Sequence, residues 1–264
     1  MAGASAHWRV AFTMHRGAPA RQQDALMVGA EVWQESQLAP REVVIENEML
    51  AALADGVATS PEAGFASRFV LKALSRTMAQ HPEWLQDGHI AARHVRETQA
   101  RLTAELARRP RLWGSACTLV AAHFRADGVV VLNSGDSRAY LRRHDATMQQ
   151  LSRDHTELQR LREAGEASDA TEYASIYDAL SDCLVADADQ GDFAIHRASA
   201  TLRDGDAVIL CTDGVHDVLG DANWRTLMEA HPDPLAVAHA ARETVLKARA
   251  PDNFSLVAAR LEFR

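Results

Sequence analysis

The sequence has few cysteines and no metal-binding histidine pattern, which argues against a disulfide framework and against a zinc site. Its three cysteines, Cys117, Cys183 and Cys211, show no paired spacing. We therefore expect the cysteines to act as small, buried hydrophobic side chains, in a protein that occupies a reducing compartment. The 12 histidines show no HExxH or comparable zinc-binding spacing.

The sequence also lacks long apolar runs and an excess of positive charge. No run approaches the ~18–20 apolar residues that span a bilayer. The N-terminal residues lack the charged and apolar regions of a signal peptide, so we expect a cytoplasmic protein without membrane association. With 28 basic and 36 acidic residues the formal net charge is −8, which argues against nucleic-acid binding.

The length and the even composition predict one domain over residues 1–264. A chain of 264 residues can bury a large core, and 47% hydrophobic with 24% charged residues is ordinary for a globular protein. We find no internal repeat, low-complexity segment or interdomain linker. Residues 165–190 are polar, acidic and weakly periodic, and we interpret them as a flap-like excursion from the domain.

Aspartates at the ends of short apolar, strand-like runs are the most informative pattern in the sequence. They are Asp24, Asp55, Asp136, Asp213 and Asp252. A carboxylate at a buried strand end costs free energy unless a cation meets it, and converging carboxylates raise one another's pKa. Mg²⁺ and Mn²⁺ prefer oxygen ligands and would remove that cost.

Hydrophobic periodicity predicts strands and helices that are largely segregated along the chain. The predicted strands are 10–14, 24–32, 42–45, 49–54, 114–124, 128–133, 137–143, 148–151, 193–200, 206–212 and 252–263, and the predicted helices are 62–78, 88–109, 154–164, 223–230 and 234–248. We interpret 114–151 as an antiparallel meander and 203–206 as a hairpin turn. The fold class is α+β, with packed antiparallel sheets and helices outside.

Several motifs resemble those of the metal-dependent Ser/Thr protein phosphatases of the PP2C (PPM) family, of the bacterial type. The motifs are residues 133–141, 151–156, 211–219 and 252–257, and their order and spacing carry the resemblance. It covers nearly the whole chain, from residue 21 to residue 260. The resemblance implies a four-layer αββα sandwich of two antiparallel β-sheets flanked by helices, with Mn²⁺ or Mg²⁺ as the cofactor.

The resemblance also implies roles for individual residues. The implied catalytic residues are Asp24, Asp55, Asp213 and Asp252, and the implied metal ligands are Asp24, Asp55, Gly56, Asp136, Asp213, Asp217 and Asp252. Asp55 would bridge two ions, and the Gly56 carbonyl would bind one of them. Asp136, with Asp213 or Asp217, would hold the third, more loosely bound ion of bacterial members. A helix cap is the alternative role for Asp217.

The implied activity is hydrolysis of phosphoserine and phosphothreonine in proteins by a monomeric enzyme that opposes a Ser/Thr kinase. Two metal ions about 3.5–4 Å apart can activate a water for in-line attack on phosphorus. A guanidinium suits the substrate phosphate because its donor fork is planar and bidentate. Arg21 is the best match to the family's phosphate-binding arginine, and Arg16 is the second.

Two departures from the family pattern motivate alternative functions. Gln23 stands where the family often has an acidic residue, and residues 57–61 replace a glycine-rich loop. The first alternative is a catalytically weak pseudoenzyme, that is, a regulatory or phosphoprotein-binding module with this fold. The second is a phosphatase that acts on small phosphorylated metabolites.

Other polar residues near these motifs are expected to have structural roles. We expect Arg138 to form an ion pair, and we expect His155 and His216 to pack or form hydrogen bonds beside the site. Asp127 and Asp204 precede glycines between predicted strands, so we assign them to turns.

Overall fold

A computed structural model describes residues 6–46, 48–81, 88–107, 109–168, 179–187 and 191–263. The strands in these ranges are β1 (Ala6–His15), β2 (Ala25–Val28), β3 (Glu31–Trp33), β4 (Gln37–Glu46), β5 (Met49–Ala54), β6 (Ala116–Cys117), β7 (Leu119–Arg125), β8 (Gly128–Ser134), β9 (Arg138–Arg142), β10 (Met148–Gln150), β11 (Leu184–Val185), β12 (His196–Thr201), β13 (Ala207–Cys211) and β14 (Phe254–Phe263). The helices are α1 (Ala63–Gln80), α2 (Gly88–Leu106), α3 (Glu157–Glu163), α4 (Asp213–Ala230) and α5 (Pro234–Lys247).

The described strands form two six-stranded antiparallel sheets and one small ladder. The first sheet has the order β10-β9-β13-β14-β1-β4, and the second has the order β12-β8-β7-β5-β2-β3. Strands β6 and β11 pair with each other beside the second sheet. The predicted α+β class with two packed antiparallel sheets is confirmed.

Side-chain alternation along the strands builds separate hydrophobic layers. In β5, Leu53 faces the core between the sheets, whereas Leu50 faces the helices α1 and α2. The rings of Trp8 and Phe124 meet edge-on between the sheets, with centroids 4.9 Å apart. Burial of each such side chain contributes roughly 1.5–3 kcal/mol.

Helices cover the outer faces of both sheets, as their apolar periodicity predicts. In α1, Val70 and Leu74 lie one turn apart and pack on the second sheet together with α2. On the first sheet, α5 buries Val237 and Ala241 together with α4. Helix α5 begins after Asp233, whose side chain accepts a hydrogen bond from the Ala236 amide at 3.1 Å. The layers are therefore helices, sheet, sheet and helices.

Two predicted strand connections were wrong because the chain crosses between the sheets. Strand β8 pairs with β7 and β12, whereas β9 pairs with β10 and β13, so residues 114–151 are not one meander. Strands β12 and β13 also lie in different sheets, so residues 203–206 do not form a hairpin. Gly135 and Gly205 have φ values of 103° and 81°, which mark turns but do not say which sheet the next strand joins.

Helix α4 begins earlier than predicted, at Asp213, with only Thr212 between it and β13. Gly220 interrupts it with a φ of 63°, and this kink explains why only residues 223–230 showed a helical pattern. Of the predicted excursion, residues 169–178 and 188–190 lie outside the described residues. Within the described ranges, no helix has the length and hydrophobicity of a bilayer span.

Candidate metal centre

Aspartates from separate parts of the chain meet at one end of the sandwich. A cavity of about 660 Å³ is lined by Asp55, Asp136, Asp213 and Asp252. The Gly56 residue, adjacent to Asp55, lines the same cavity. Strand ends position these groups, because β5 ends just before Asp55, β13 ends just before Asp213, and β14 begins just after Asp252.

Asp24 is the most buried of the aspartates, with no exposed surface, and lies on the connection from β1 to β2. Its Oδ2 accepts hydrogen bonds from Ser255 Oγ at 2.7 Å and from Thr212 Oγ1 at 3.0 Å. Its Oδ1 is buried and accepts no hydrogen bond from a hydroxyl or N–H group of the described residues. Burial, together with the negative charge of Asp213, raises the pKa of Asp24 to about 7 although both hydroxyls favour the charged form.

The carboxylates raise one another's pKa values. Enclosure by the protein and then the charges of Asp213 and Asp24 raise the pKa of Asp55 well above its usual range. Burial and the charge of Asp213 raise the pKa of Asp136 to about 7. The same causes raise the pKa of Asp252. The group therefore cannot ionise fully at neutral pH without a positive charge among its members.

The carboxylate oxygens of these aspartates are the type of ligand that hard divalent cations prefer. Within the described residues, no three His, Cys, Asp or Glu side chains already surround a common point as metal ligands would. Oδ1 of Asp24, which accepts no hydrogen bond from a hydroxyl or N–H group of the described residues, is an oxygen that a cation would satisfy. Cys183 also lines the cavity, but burial and the charge of Asp136 raise its pKa to about 12, so its thiol stays protonated.

Two histidines hold the loop that carries Asp136. The Gly135 amide donates to His155 Nδ1 at 3.1 Å, and His216 Nε2 lies 3.1 Å from the Asp136 carbonyl oxygen. These are the hydrogen-bonding roles beside the site that the sequence suggested for both histidines. Thr118 continues the network, because its Oγ1 accepts from the Asp55 amide at 3.0 Å.

Asn253 holds the loop between β1 and Asp24 against the start of β14. Its Oδ1 accepts from the Gln23 amide at 2.6 Å, and its Nδ2 donates to the carbonyls of Arg16 and Arg21 at 2.6 and 3.1 Å. A Cβ on Gly17, in the same loop, would lie 2.1 Å from the Asp252 carbonyl oxygen. Only glycine fits at that position.

The structure does not bring the two candidate phosphate-binding arginines into the carboxylate cavity. Arg21 is exposed and lines a neighbouring cavity of about 240 Å³ with Gln23 and Arg68. Pro61 lines both cavities, so the two adjoin. The guanidinium of Arg16 lies 3.4 Å from a carbonyl oxygen of its own loop.

Asp217 also lies outside the cavity lining, on an exposed part of α4. Its Oδ1 lies 2.9 Å from His216 Nδ1. Partial burial raises the pKa of Asp217, but the hydrogen bond and charge of His216 outweigh burial and the pKa is lowered. Because α4 begins at Asp213, Asp217 lies inside the helix and not at its cap. Arg138 forms the expected ion pair, with Nη2 2.6 Å from Asp154 Oδ2.

Sequence reasoning missed the hydroxyl and amide residues that hold either a carboxylate or the backbone beside one. They are Thr118, Thr212, Asn253 and Ser255. Thr212 and Asn253 each adjoin a motif aspartate, and a small polar residue next to a buried carboxylate is a signal for such a contact.

Comparison with known proteins places the chain in a family. The family profile described as "Protein phosphatase 2C" matches residues 13–248. The chain belongs to the protein phosphatase 2C family. This finding confirms the resemblance that the four motifs carried.

Curated relatives of this protein phosphatase 2C chain are bacterial. Serine/threonine protein phosphatase PstP of Mycobacterium tuberculosis is 31% identical over 225 residues, which cover 80% of this chain and 40% of PstP. The chain therefore spans about 40% of the length of that relative. Serine/threonine phosphatase stp of Listeria innocua is 25% identical over 194 residues, which cover 70% of this chain and 73% of stp.

Solved structures confirm the protein phosphatase 2C fold. The M. tuberculosis serine/threonine phosphatase PstP/Ppp matches with a TM-score of 0.79 and 26% identity over 97% of this chain and 99% of that one. The PstP catalytic domain in complex with 2 manganese ions matches with a TM-score of 0.73 and 26% identity, over 97% and 99% of the respective chains.

Proposed function

We propose that this chain is a metal-dependent protein phosphatase that hydrolyses phosphoserine and phosphothreonine in proteins. The observation that carries the proposal is the group of aspartates that line one cavity at the end of the sandwich and raise one another's pKa, with the buried Oδ1 of Asp24, which accepts no hydrogen bond from a hydroxyl or N–H group of the described residues. The relatives support it, since they are named serine/threonine phosphatases and the PstP catalytic domain binds 2 manganese ions.

The residues proposed to hold two Mn²⁺ or Mg²⁺ ions, and a third more loosely, are Asp24, Asp55, the Gly56 carbonyl, Asp136, Asp213, Asp217 and Asp252. When bound, such cations neutralise charge on the phosphoryl oxygens and supply a nucleophilic water. Thr212 and Ser255 fix the orientation of Asp24, and the two histidines beside Asp136 fix its loop. The chain thus positions its carboxylates before any substrate enters.

Arg21 is proposed to bind the substrate phosphate from the adjoining cavity, with Arg16 as the second candidate. An arginine side chain is long, and its fork reaches a phosphate bidentately. The rest of the carboxylate cavity is lined by uncharged side chains such as Val57, Leu180 and Val185. These would contact the peptide on either side of the phosphorylated residue.

Phosphoproteins made by a Ser/Thr kinase are the proposed substrates. The monomeric state and the cytoplasmic location expected from the sequence belong to the same proposal. The names of the relatives do not support the pseudoenzyme alternative.

The test is hydrolysis of p-nitrophenyl phosphate and a phosphothreonine peptide, with Mn²⁺ and with EDTA. Asp213→Asn serves as the inactive variant, and Asp127→Asn, in a turn outside the cavity, serves as its matched control. We expect turnover that needs Mn²⁺ and disappears only in Asp213→Asn. Metal binding by calorimetry without turnover would favour the pseudoenzyme, and a preference for sugar phosphates would favour a metabolite phosphatase.

A further inference from the structure

Helix α1 carries positive charge and no negative charge, in a chain whose net charge is −8. Its 18 residues include Arg68, Lys72 and Arg76 and no aspartate or glutamate. All three side chains are exposed and follow one another at steps of four residues. They therefore form one row on the helix, with steps of about 6 Å along its axis. We call this row the α1 basic stripe.

The stripe keeps its charge available for a partner. In the part of the chain that the structure describes, none of its three residues forms an ion pair. Other surface helices differ, since Arg93 in α2 pairs with Glu97 and Lys247 in α5 pairs with Glu243, each four residues along the helix. Each pair offsets one positive charge of its own helix, whereas α1 contains no acidic residue that could do so.

The stripe leads to the candidate metal centre. Arg68 lines the same small cavity as Arg21, and Pro61 joins this cavity to the carboxylate cavity. Glu62 is the one acidic residue in the lining of the small cavity. On the buried side of α1, Ser67 donates a hydrogen bond to the Gln23 carbonyl, which ties the helix to the loop before Asp24. The stripe and the metal centre thus have a fixed relative position.

We infer that the α1 basic stripe, with Arg21, binds an acidic stretch of the phosphoprotein substrate beside the phosphorylated residue. This inference rests on the proposed function and names the substrate class of the same site. Alternate side chains of an extended peptide lie about 6.6 Å apart on one face, close to the ~6 Å steps of the stripe. The matching ligand is an extended segment with acidic or phosphorylated residues at every second position, because guanidinium groups bind carboxylates and phosphates bidentately.

Charge and size favour a peptide over nucleic acid or an anionic membrane. Proteins that bind nucleic acid present a broad basic face, whereas this chain has an excess of eight acidic residues and the stripe has three basic side chains. A row about 12 Å long covers about five residues of an extended peptide. Its length therefore suits a short acidic segment.

The test compares two variants with equal changes in charge. The stripe variant is Arg68→Glu with Lys72→Glu and Arg76→Glu. The control variant is Arg41→Glu with Arg225→Glu and Lys247→Glu, which are exposed residues of β4, α4 and α5. Both are assayed on two pairs of phosphothreonine peptides, one pair for each side of the phosphorylated residue. Within a pair, the alternate flanking positions carry glutamate in one peptide and glutamine in the other.

We expect the wild type and the control variant to prefer the glutamate peptide through a lower KM. The preference of the stripe variant for the glutamate peptide is expected to be about tenfold smaller, because three exposed charge contacts are lost together. The wild-type preference should also shrink as the salt rises from about 20 mM to about 300 mM, because the Debye length falls below the reach of surface charges. A wild type without preference, or an equal loss in the control variant, would overturn the inference.

A binding measurement separates this inference from the proposed activity. Fluorescence anisotropy of the unphosphorylated glutamate peptide in EDTA should show binding to the wild type and the control variant and weaker binding to the stripe variant. If the wild type does not hydrolyse p-nitrophenyl phosphate, the proposed function fails and the anisotropy alone decides on the stripe. Stripe-dependent binding of a DNA oligonucleotide or of phosphatidylserine vesicles, with no binding of the peptide, would assign the stripe to another partner.

Discussion

Thr212 donates a hydrogen bond to Asp24 over 3.0 Å, and this contact joins the two sheets beneath the candidate metal centre. Thr212 follows β13 of the first sheet, whereas Asp24 precedes β2 of the second sheet. The contact satisfies one oxygen of a carboxylate whose other oxygen is buried and accepts no hydrogen bond from a hydroxyl or N–H group in the described part of the chain. Asp24 therefore holds the sheets together at a cost in free energy that depends on its protonation.

We predict that the metal-free chain becomes more stable as the pH falls from about 8 to about 6. The pKa of Asp24 is raised from 3.8 to about 7, so the fold favours the protonated carboxyl. The stabilising contribution of this proton is full below pH 3.8 and is lost as the pH rises through about 7. Asp55 and Asp136 shift in the same direction. Thermal unfolding in EDTA at several pH values measures the effect.

Asp24→Asn supplies the comparison for this pH dependence. An asparagine side chain keeps the shape and does not titrate, so the variant should unfold at a higher temperature than the wild type at about pH 8 and show a smaller slope. A shift of about 1 kcal/mol corresponds to roughly 2–4 °C in a chain of this size. Equal slopes in the two proteins would contradict the assignment of the titration to Asp24.

Asp213→Asn is expected to abolish metal-dependent turnover, with a loss of at least about 100-fold, while the chain still folds. The negative charge of Asp213 raises the pKa of Asp24, Asp55, Asp136 and Asp252, so Asp213 is central to the group. Mn²⁺ at about 100 times its Kd should stabilise the wild type by about 2.7 kcal/mol and the variant by much less. Kinetics and thermal unfolding with and without Mn²⁺ measure both effects, and wild-type activity in the variant would refute the site.

Arg21→Ala is expected to raise the KM for a phosphopeptide by about tenfold, with a smaller change in kcat, because a phosphate-binding group acts in substrate binding as well as in turnover. Arg21 lines the cavity that adjoins the carboxylates. Arg16→Ala is the matched comparison, since both arginines belong to the loop that Asn253 holds. A larger effect in Arg16→Ala would transfer the role to Arg16, and unchanged constants in both variants would remove it from this loop.

Gly17→Ala is expected to destabilise the chain by more than about 2 kcal/mol and to weaken Mn²⁺ binding. The added Cβ would lie 2.1 Å from the carbonyl oxygen of Asp252, so either the loop or the Asp252 backbone must move. Gly29→Ala is the control, because Gly29 has a similar φ of 61° and, apart from its chain neighbours, no described residue has an atom within 4 Å of the added Cβ. It should cost about 1–2 kcal/mol of backbone strain and leave Mn²⁺ affinity unchanged.

Urea denaturation and calorimetry with Mn²⁺ compare the two glycine variants. Equal losses of stability, with equal metal affinity, would mean that the close approach of Gly17 to Asp252 does not position the site.

Local sequence patterns predicted the elements better than their partners. The predicted strand 49–54 coincides with β5, because six apolar residues end sharply at Asp55. The sheet to which a strand belongs depends on contacts far along the chain, so Gly135 and Gly205 could mark turns and still mislead about pairing. The start of α4 was hidden because Gly214 and Gly220 weaken the helical signal there.

At the candidate site, too, the residues could be selected from sequence more easily than their positions could be predicted. The aspartates could be selected from sequence because each interrupts an apolar run at a strand end, and the structure places Asp55, Asp136, Asp213 and Asp252 around one cavity. The position of Arg21 in an adjoining cavity could not be predicted, since it depends on how Asn253 folds the loop before Asp24.

The connections that carry Asp24 and Asp136 each run from one sheet to the other. The distance between these two aspartates therefore depends on the thickness of the sandwich, which side chains such as Trp8 and Phe124 set by filling the space between the sheets. A smaller side chain in that layer lets the sheets approach and changes the spacing of carboxylates that it never touches. A substitution that changes the volume of this core would therefore also change the metal affinity, so selection on either property constrains the other.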